Sequence, residues 1–434
     1  MANSSTTEQA VRRLFRAGFI TMRSDGSLFS RRDAAILVHD GRIRLLDAFT
    51  DPPAHDELVE LDAVLLPGFA DVHTHWVQHH VRGRFGGDVL RWLEQHILPE
   101  EATFTDTRLA QQRAERFFND TLQAGTVMGM AYSSVHPEAL DIAMAETTGR
   151  WRLGNSLMDR LAPAQLLEKA VCDPHALEEL ALRYGRERYA LTPRFAPAMS
   201  KGLLQHAGTL ARELGLWVQT HLSESVHEVA LLHDLFPEAQ DYVDVYDQAG
   251  LVTARSVFGH GIHLSEREWR CLAQRGAWLA HCPSSNEALD SGRMDLEAAR
   301  RFGVPFALGS DVAAGPSHSM LHVMQRFLAV HRAAGIPVTA PMALYHATLA
   351  GAQCLGWHND LGSLEPGKRA DFVAMPRPDG PWQPAGYLEE LLRGSITELE
   401  QRAQGTYLAG TLIPPSPAQP DFPGIATHAQ GLHG

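Results

Sequence analysis

The sequence predicts an α/β protein: a (β/α)8 barrel with a small β domain built from both chain ends. Three observations carry this expectation. After Pro67-Gly68, short apolar runs alternate with helical stretches, as repeated βαβ units do. Before that point, and again from Asp371, the texture is instead one of strands separated by turns. No Gly-rich phosphate loop follows the first run of the repeating region, whereas a doubly wound open sheet usually carries one there.

Residues 15–65 read as short alternating strands, in FRAGFITM, DAAILVHDGRIRLLDA and LVELDAVLLPG, with Asp40-Gly41 as a tight-turn signal. Eight barrel strands are predicted at 69–73, 125–132, 152–158, 189–195, 216–221, 256–261, 277–282 and 305–311, with helical patterns such as 203–215 and 265–276 between them. Strand texture returns at 370–376 and 404–413. The predicted division is 1–65 and 365–413 for the β domain, 66–364 for the barrel, and 414–434 for a Pro-rich tail expected to be poorly ordered.

Composition narrows the function classes. With 44% hydrophobic and 21% charged residues, the 434-residue chain is neither a disordered nor a fibrous protein. Its 38 basic and 51 acidic residues give a net charge of −13, the wrong sign for a surface that coats nucleic acid. Cys172, Cys271, Cys282 and Cys354 form no C-x-x-C pair, which points to a reducing compartment and away from a thiolate zinc site. Met1 to Ile20 has no apolar signal core, and no run of about 18 apolar residues exists to cross a membrane. Together these predict a cytoplasmic protein with neither nucleic-acid nor membrane partners.

Four predicted strand ends carry chemistry. In Asp71-Val72-His73-Thr74-His75, residues two apart on a strand point the same way, so His73 and His75 can aim two imidazoles at one point. His221 ends the apolar run LWVQ, with Glu224 three residues on; read alone, this is equally a helix start capped by Thr220 or Ser223. His260 lies between Gly259 and Gly261, where the backbone can bend to expose a ring. Asp311 ends Leu308-Gly309-Ser310-Asp311, where a plain helix cap is the bland alternative. Taken together, the four signals outweigh their separate alternatives. They place imidazoles and a carboxylate at one barrel mouth, where such barrels keep their active sites, and this donor set suits Zn²⁺ or Fe²⁺ with a position left for water.

The motifs PGFADVHTH, QTHLSE, GHG and GSDVAAG resemble the amidohydrolase superfamily. The further segments 90–101, 191–197, 221–229, 241–251, 280–286, 291–315 and 347–375 are similar to its guanine deaminase family, the likeness covering about 14–413. The resemblance implies a distorted barrel with a β-sandwich accessory domain, and a zinc-dependent aminohydrolase that converts guanine to xanthine and ammonia as a homodimer. It implies one Zn²⁺ per chain, or Fe²⁺, held by His73, His75, His221 and Asp311. Gln78, Arg194 and Phe195 would hold the purine, with His221 and Glu224 beside it. Glu224, His260 and Asp311 would serve the chemistry. A guanidinium can donate to a ring carbonyl, a Gln amide both donates and accepts, and Phe offers a packing face. Related substrates such as 8-oxoguanine, a pterin or a triazine are the close alternatives, and a silent metal-binding barrel the distant one. The chain departs from the family pattern at Leu161, which follows Met158-Asp159-Arg160 where the family reads MDRN, at Ala314 and His318, and across 82–89.

Binuclear members of the superfamily bridge two metals through a carboxylated lysine at a middle strand end. Lys169, Lys201 and Lys368 are the only lysines, and the corresponding strand end carries Arg194, so a single metal is expected. His281 is expected to be structural or to stand just behind the ligands, and Cys282 to be a small buried residue, since an activated water makes a thiol nucleophile unnecessary.

Overall fold

The structure, a computed structural model, describes residues 11–85 and 89–415. The first ten residues, Gly86 to Asp88 within the 82–89 stretch, and the tail from residue 416 lie outside the described residues.

Eight parallel strands form at the eight predicted places: β5 (Phe69–His75), β6 (Thr126–Ser133), β7 (Arg150–Leu157), β8 (Ala190–Pro193), β9 (Trp217–Leu222), β10 (Ser256–His260), β11 (Trp278–His281) and β12 (Phe306–Leu308). Each pairs with the next in order, and the ends of the sheet approach to form a nearly closed barrel. Past the end of β12, the Asp311 amide donates to the His73 carbonyl at 2.8 Å, and the His75 amide donates to Val312 at 3.1 Å. β5, β6 and β10 are buried along their whole length, as strands of a parallel barrel covered on both faces are. Helices predicted at 203–215 and 265–276 form at Lys201–Leu214 and Glu266–Arg275, each ended by a left-handed glycine, Gly215 and Gly276.

Both chain ends build the second sheet. Its strands are β1 (Arg13–Met22), β2 (Leu28–His39), β3 (Arg42–Ala48), β4 (Glu57–Pro67), β13 (Phe372–Pro376), β14 (Gly405–Leu408) and β15 (Thr411–Leu412), in the order β15-β14-β13-β4-β1-β2-β3. The Asp40-Gly41 turn joins β2 to β3 with φ of 53° and 68°, the conformation a two-residue hairpin needs. The sheet curls on itself: Ala370 donates to the Gly41 carbonyl at 2.8 Å and Ile43 to Lys368 at 2.9 Å. The enclosed core sets Phe15 edge-on to Phe372 and Tyr407, at 5.2 and 5.7 Å. Burying such a ring is worth roughly 1.5–3 kcal/mol. No helix among the described residues is long and apolar enough to cross a membrane.

Candidate active site

The C-terminal ends of β5, β9 and β10 and the loop after β12 converge on one buried cluster. His73 Nε2 and His75 Nε2 each lie 3.4 Å from Asp311 Oδ1. His75 Nε2 is 3.2 Å from His221 Nε2, and His260 Nε2 is 3.8 Å from Asp311 Oδ2. His73, His221, His260 and Asp311 each offer a ligand atom within 4.8 Å of all the others. His75 joins this set through its close approaches to His221 and Asp311, and its ring stacks on Tyr132 with centroids 4.3 Å apart.

Close packing dictates two of the glycines. A Cβ on Gly259 would lie 2.6 Å from the His73 ring, and one on Gly309 would lie 2.8 Å from His73 Cβ. His260 and Asp311 themselves hold left-handed φ of 70° and 49°, strain of the kind that gathers at functional sites.

Partners on the far nitrogens aim two of the rings. His221 Nδ1 lies 2.6 Å from the Arg194 carbonyl, and His260 Nδ1 lies 2.8 Å from Asn286 Oδ1. Each contact leaves Nε2 directed at the cluster, as outer partners do for metal-bound imidazoles. Asp71, buried beneath, accepts from the Ser310 amide and hydroxyl at 2.9 and 2.5 Å and so ties the β12 loop to β5.

The protonation states suit a metal. Burial pushes His75 down to about 4 and His221 well below its usual range, so both rings are neutral, the form that ligates. Burial opposes ionisation of Asp311, but the imidazoles of His73, His75 and His260 gathered around it outweigh burial and hold the carboxylate ionised. His73 Nδ1 and Nε2 and His260 Nε2 are buried without a hydrogen-bond partner. Orphaned imidazole nitrogens facing an ionised carboxylate are the donor set that a divalent cation satisfies.

Glu224 sits beside this cluster, with Oε2 3.5 Å from His260 Nε2 and Oε1 accepting from Ser291 Oγ at 3.3 Å. Burial, with Asp311 and Glu228 nearby, pushes its carboxyl well above the usual range, which favours the protonated form. The helix cap weighed for Thr220 or Ser223 falls instead on Ser225. Ser225 forms a reciprocal capping box with Glu228 at the start of Val226–Leu235, and Glu224 lies before the helix, free to face the pocket. Asp311 is likewise no cap, its carboxylate being turned to the imidazoles.

The pocket wall brings together Gln78, Arg194, Phe195 and Glu224 with His75 and Asp311. His221 lines the same cavity, and His73 and His260 approach it through the cluster rather than its wall. Sequence reasoning missed Glu101, Glu228, Asn286 and Ser291. Glu101 is fully buried and accepts from Arg194 Nη1 at 2.9 and 2.8 Å and from Gln78 Nε2 at 2.8 Å. Only Glu228 had a readable signal, the Ser-x-x-Glu spacing. His281 Nε2 lies 2.9 Å from His331 Nε2, and burial pushes the Cys282 thiol up. Lys169 and Lys201 are exposed, and Lys368 donates to Ser363 and Leu361, so none of the lysines reaches the cluster.

A parallel barrel with neutral imidazoles and an ionised aspartate converging at its mouth defines a metal-site barrel enzyme. The chain belongs to the amidohydrolase family, whose model matches residues 64–404. The guanine deaminase of Escherichia coli (strain K12) is 37% identical to it over 331 residues, covering 75% of each chain. The solved structure of E. coli guanine deaminase aligns with a TM-score of 0.84 at 30% identity, over 94% of this chain and 100% of that one. A guanine deaminase from C. acetobutylicum with guanine bound in its active site aligns with a TM-score of 0.80 at 25% identity, over 93% of this chain and 100% of that one.

Proposed function

We propose that this protein hydrolyses guanine to xanthine and ammonia. The observation that carries the proposal is that Arg194, Gln78 and Phe195 share a cavity wall with Glu224 and the His–Asp cluster. A ring-reading edge thus stands next to an acid and a cation site, and the relatives named above are guanine deaminases. His73, His75, His221 and Asp311 would hold one divalent metal, which we take to be zinc, with iron the alternative. Such a metal acts as a Lewis acid and makes water nucleophilic at neutral pH. Asp311, ionised, accepts the proton of the attacking water, and His260, fixed by Asn286, orients that water toward the amino-bearing ring carbon. Glu224, protonated, donates to the ring nitrogen as the water adds and then assists departure of the amine by taking the remaining proton of the added hydroxyl, while the proton held by Asp311 passes to the amine, which leaves as ammonia. Arg194 donates to the ring carbonyl, Gln78 meets the purine edge, and Phe195 packs on the ring. We further take the protein to be cytoplasmic, and a homodimer as its resemblance implies.

The test is a spectrophotometric screen of guanine, 8-oxoguanine, isoxanthopterin, adenine and cytosine. Turnover of guanine with release of one ammonia supports the reading. Turnover of only a pterin or an oxidised purine keeps the reaction class and refutes the substrate. That second reading has an observation of its own, since Leu161 is exposed and lines an apolar chamber adjoining Phe195 and Arg194, where a larger ring could extend.

A further inference from the structure

Glu101 touches neither the His–Asp cluster nor the open pocket, yet it binds both residues assigned above to reading the purine edge. Its two oxygens accept from Arg194 Nη1 at 2.9 and 2.8 Å, and Oε1 also accepts from Gln78 Nε2 at 2.8 Å. All three side chains are buried: Glu101 has no exposure, Gln78 2% and Arg194 3%. Gln78 Oε1 in turn accepts from the Ala313 amide at 3.3 Å, two residues past Asp311. This pairing fixes the amide, since its NH₂ must face the carboxylate and its oxygen the backbone N–H. Arg194 also lines the pocket, and no hydrogen bond to the described residues engages its Nε or Nη2.

We propose that Glu101 is a positioning residue that sets the specificity of the purine-reading edge, through its hydrogen bonds to Arg194 and Gln78. A neutral purine brings no charge to offset a buried guanidinium, so the protein must supply the counter-charge itself. Glu101 does so on the side of Arg194 away from the substrate. It thereby points the spare guanidinium donors at a ring carbonyl and disfavours a ring that carries a donor there. A glutamine at this position would turn one NH₂ toward two existing donors, freeing either Arg194 or Gln78 to swing.

The proposal rests on guanine turnover, so wild-type holoenzyme is assayed first with guanine and with 2,6-diaminopurine, in which an amino group replaces the ring carbonyl and the adjacent ring nitrogen turns from donor to acceptor. Glu101→Gln is then measured with the same pair. The expected result is a rise in guanine KM of about 10- to 100-fold, the effect of losing a charged hydrogen bond, with a smaller change in kcat. The preference for guanine over 2,6-diaminopurine should narrow by a similar factor, and metal content should stay at the wild-type value. Glu101→Asp, which keeps the charge, should recover part of the preference even if the glutamine variant folds poorly. Adding Glu101→Gln to Arg194→Met should cost far less than it does alone, because the carboxylate acts through Arg194. An active wild type whose Glu101→Gln or Glu101→Asp variants lose activity equally on both purines, or not at all, overturns the positioning role and leaves the function standing. A wild type inactive on guanine overturns both.

Discussion

Replacing Glu224 by glutamine separates its chemistry from its shape. The amide oxygen can keep the Ser291 hydrogen bond, and the main-chain anchor of Glu224 N on Glu228 Oε2 at 2.9 Å does not involve the side chain. The substitution therefore removes the transferable proton and changes the 3.5 Å contact with His260, and leaves the rest in place. A positioned acid/base contributes about 10²–10⁴-fold, which at about 1.36 kcal/mol per tenfold is about 2.7–5.4 kcal/mol of barrier. The stability change runs the other way. Burial and the neighbouring Asp311 and Glu228 disfavour the Glu224 carboxylate, so a neutral amide relieves that cost and the variant should melt no lower than wild type. Guanine turnover is followed by ultraviolet absorbance, metal by elemental analysis and melting by calorimetry. Near-normal kcat with metal retained would refute the acid/base role and leave Glu224 a pocket wall. Loss of metal together with rate would place Glu224 among the ligands.

Three other outcomes are expected. Purified protein should contain one divalent metal per chain, and Asp311→Ala should lose it; two equivalents, both required for activity, would contradict a site that no lysine reaches. Arg194→Met should slow guanine while hardly affecting adenine, closing much of a gap that a desolvated hydrogen-bond mismatch can make about 10⁴–10⁵-fold; an unchanged kcat/KM ratio would remove Arg194 from substrate reading. Leu161 holds φ of 55° with its side chain 49% exposed, so Leu161→Asn should raise stability by about 1 kcal/mol by suiting the left-handed backbone, and an unchanged or lower Tm would show that strain there is negligible.

The strands were legible because each is buried on both faces, giving short apolar runs bounded by turns, and because a barrel repeats that signal eight times. The cluster was legible because His73 and His75 share one strand's period, and His221, His260 and Asp311 end apolar runs. Glu101 was not legible. In LPEE it reads as one acidic residue of a helical stretch, and only the folded chain shows Arg194, 93 positions away, reaching it. Asn286 and Ser291 were hidden for the same reason, since their partners His260 and Glu224 lie on other elements. The cap weighed at Thr220 or Ser223 lies five or two residues further on because Thr220, Ser223 and Ser225 are equivalent cap formers by type. The backbone decided among them when Ser223 took a φ of 49°.

β4 lies between β1, an early neighbour in the chain, and β13, which pairs with it from Phe372 against Pro67. At about 5–20 residues per second on the ribosome, β13 follows β4 by roughly 15–60 s. Throughout that interval Val64, Leu65 and Leu66 present an apolar strand edge with no partner, a template for foreign strands. The second sheet can thus be completed only after every barrel strand has emerged. A nascent chain halted before Phe372 would carry its metal ligands yet remain a substrate for chaperones, held back by one open edge.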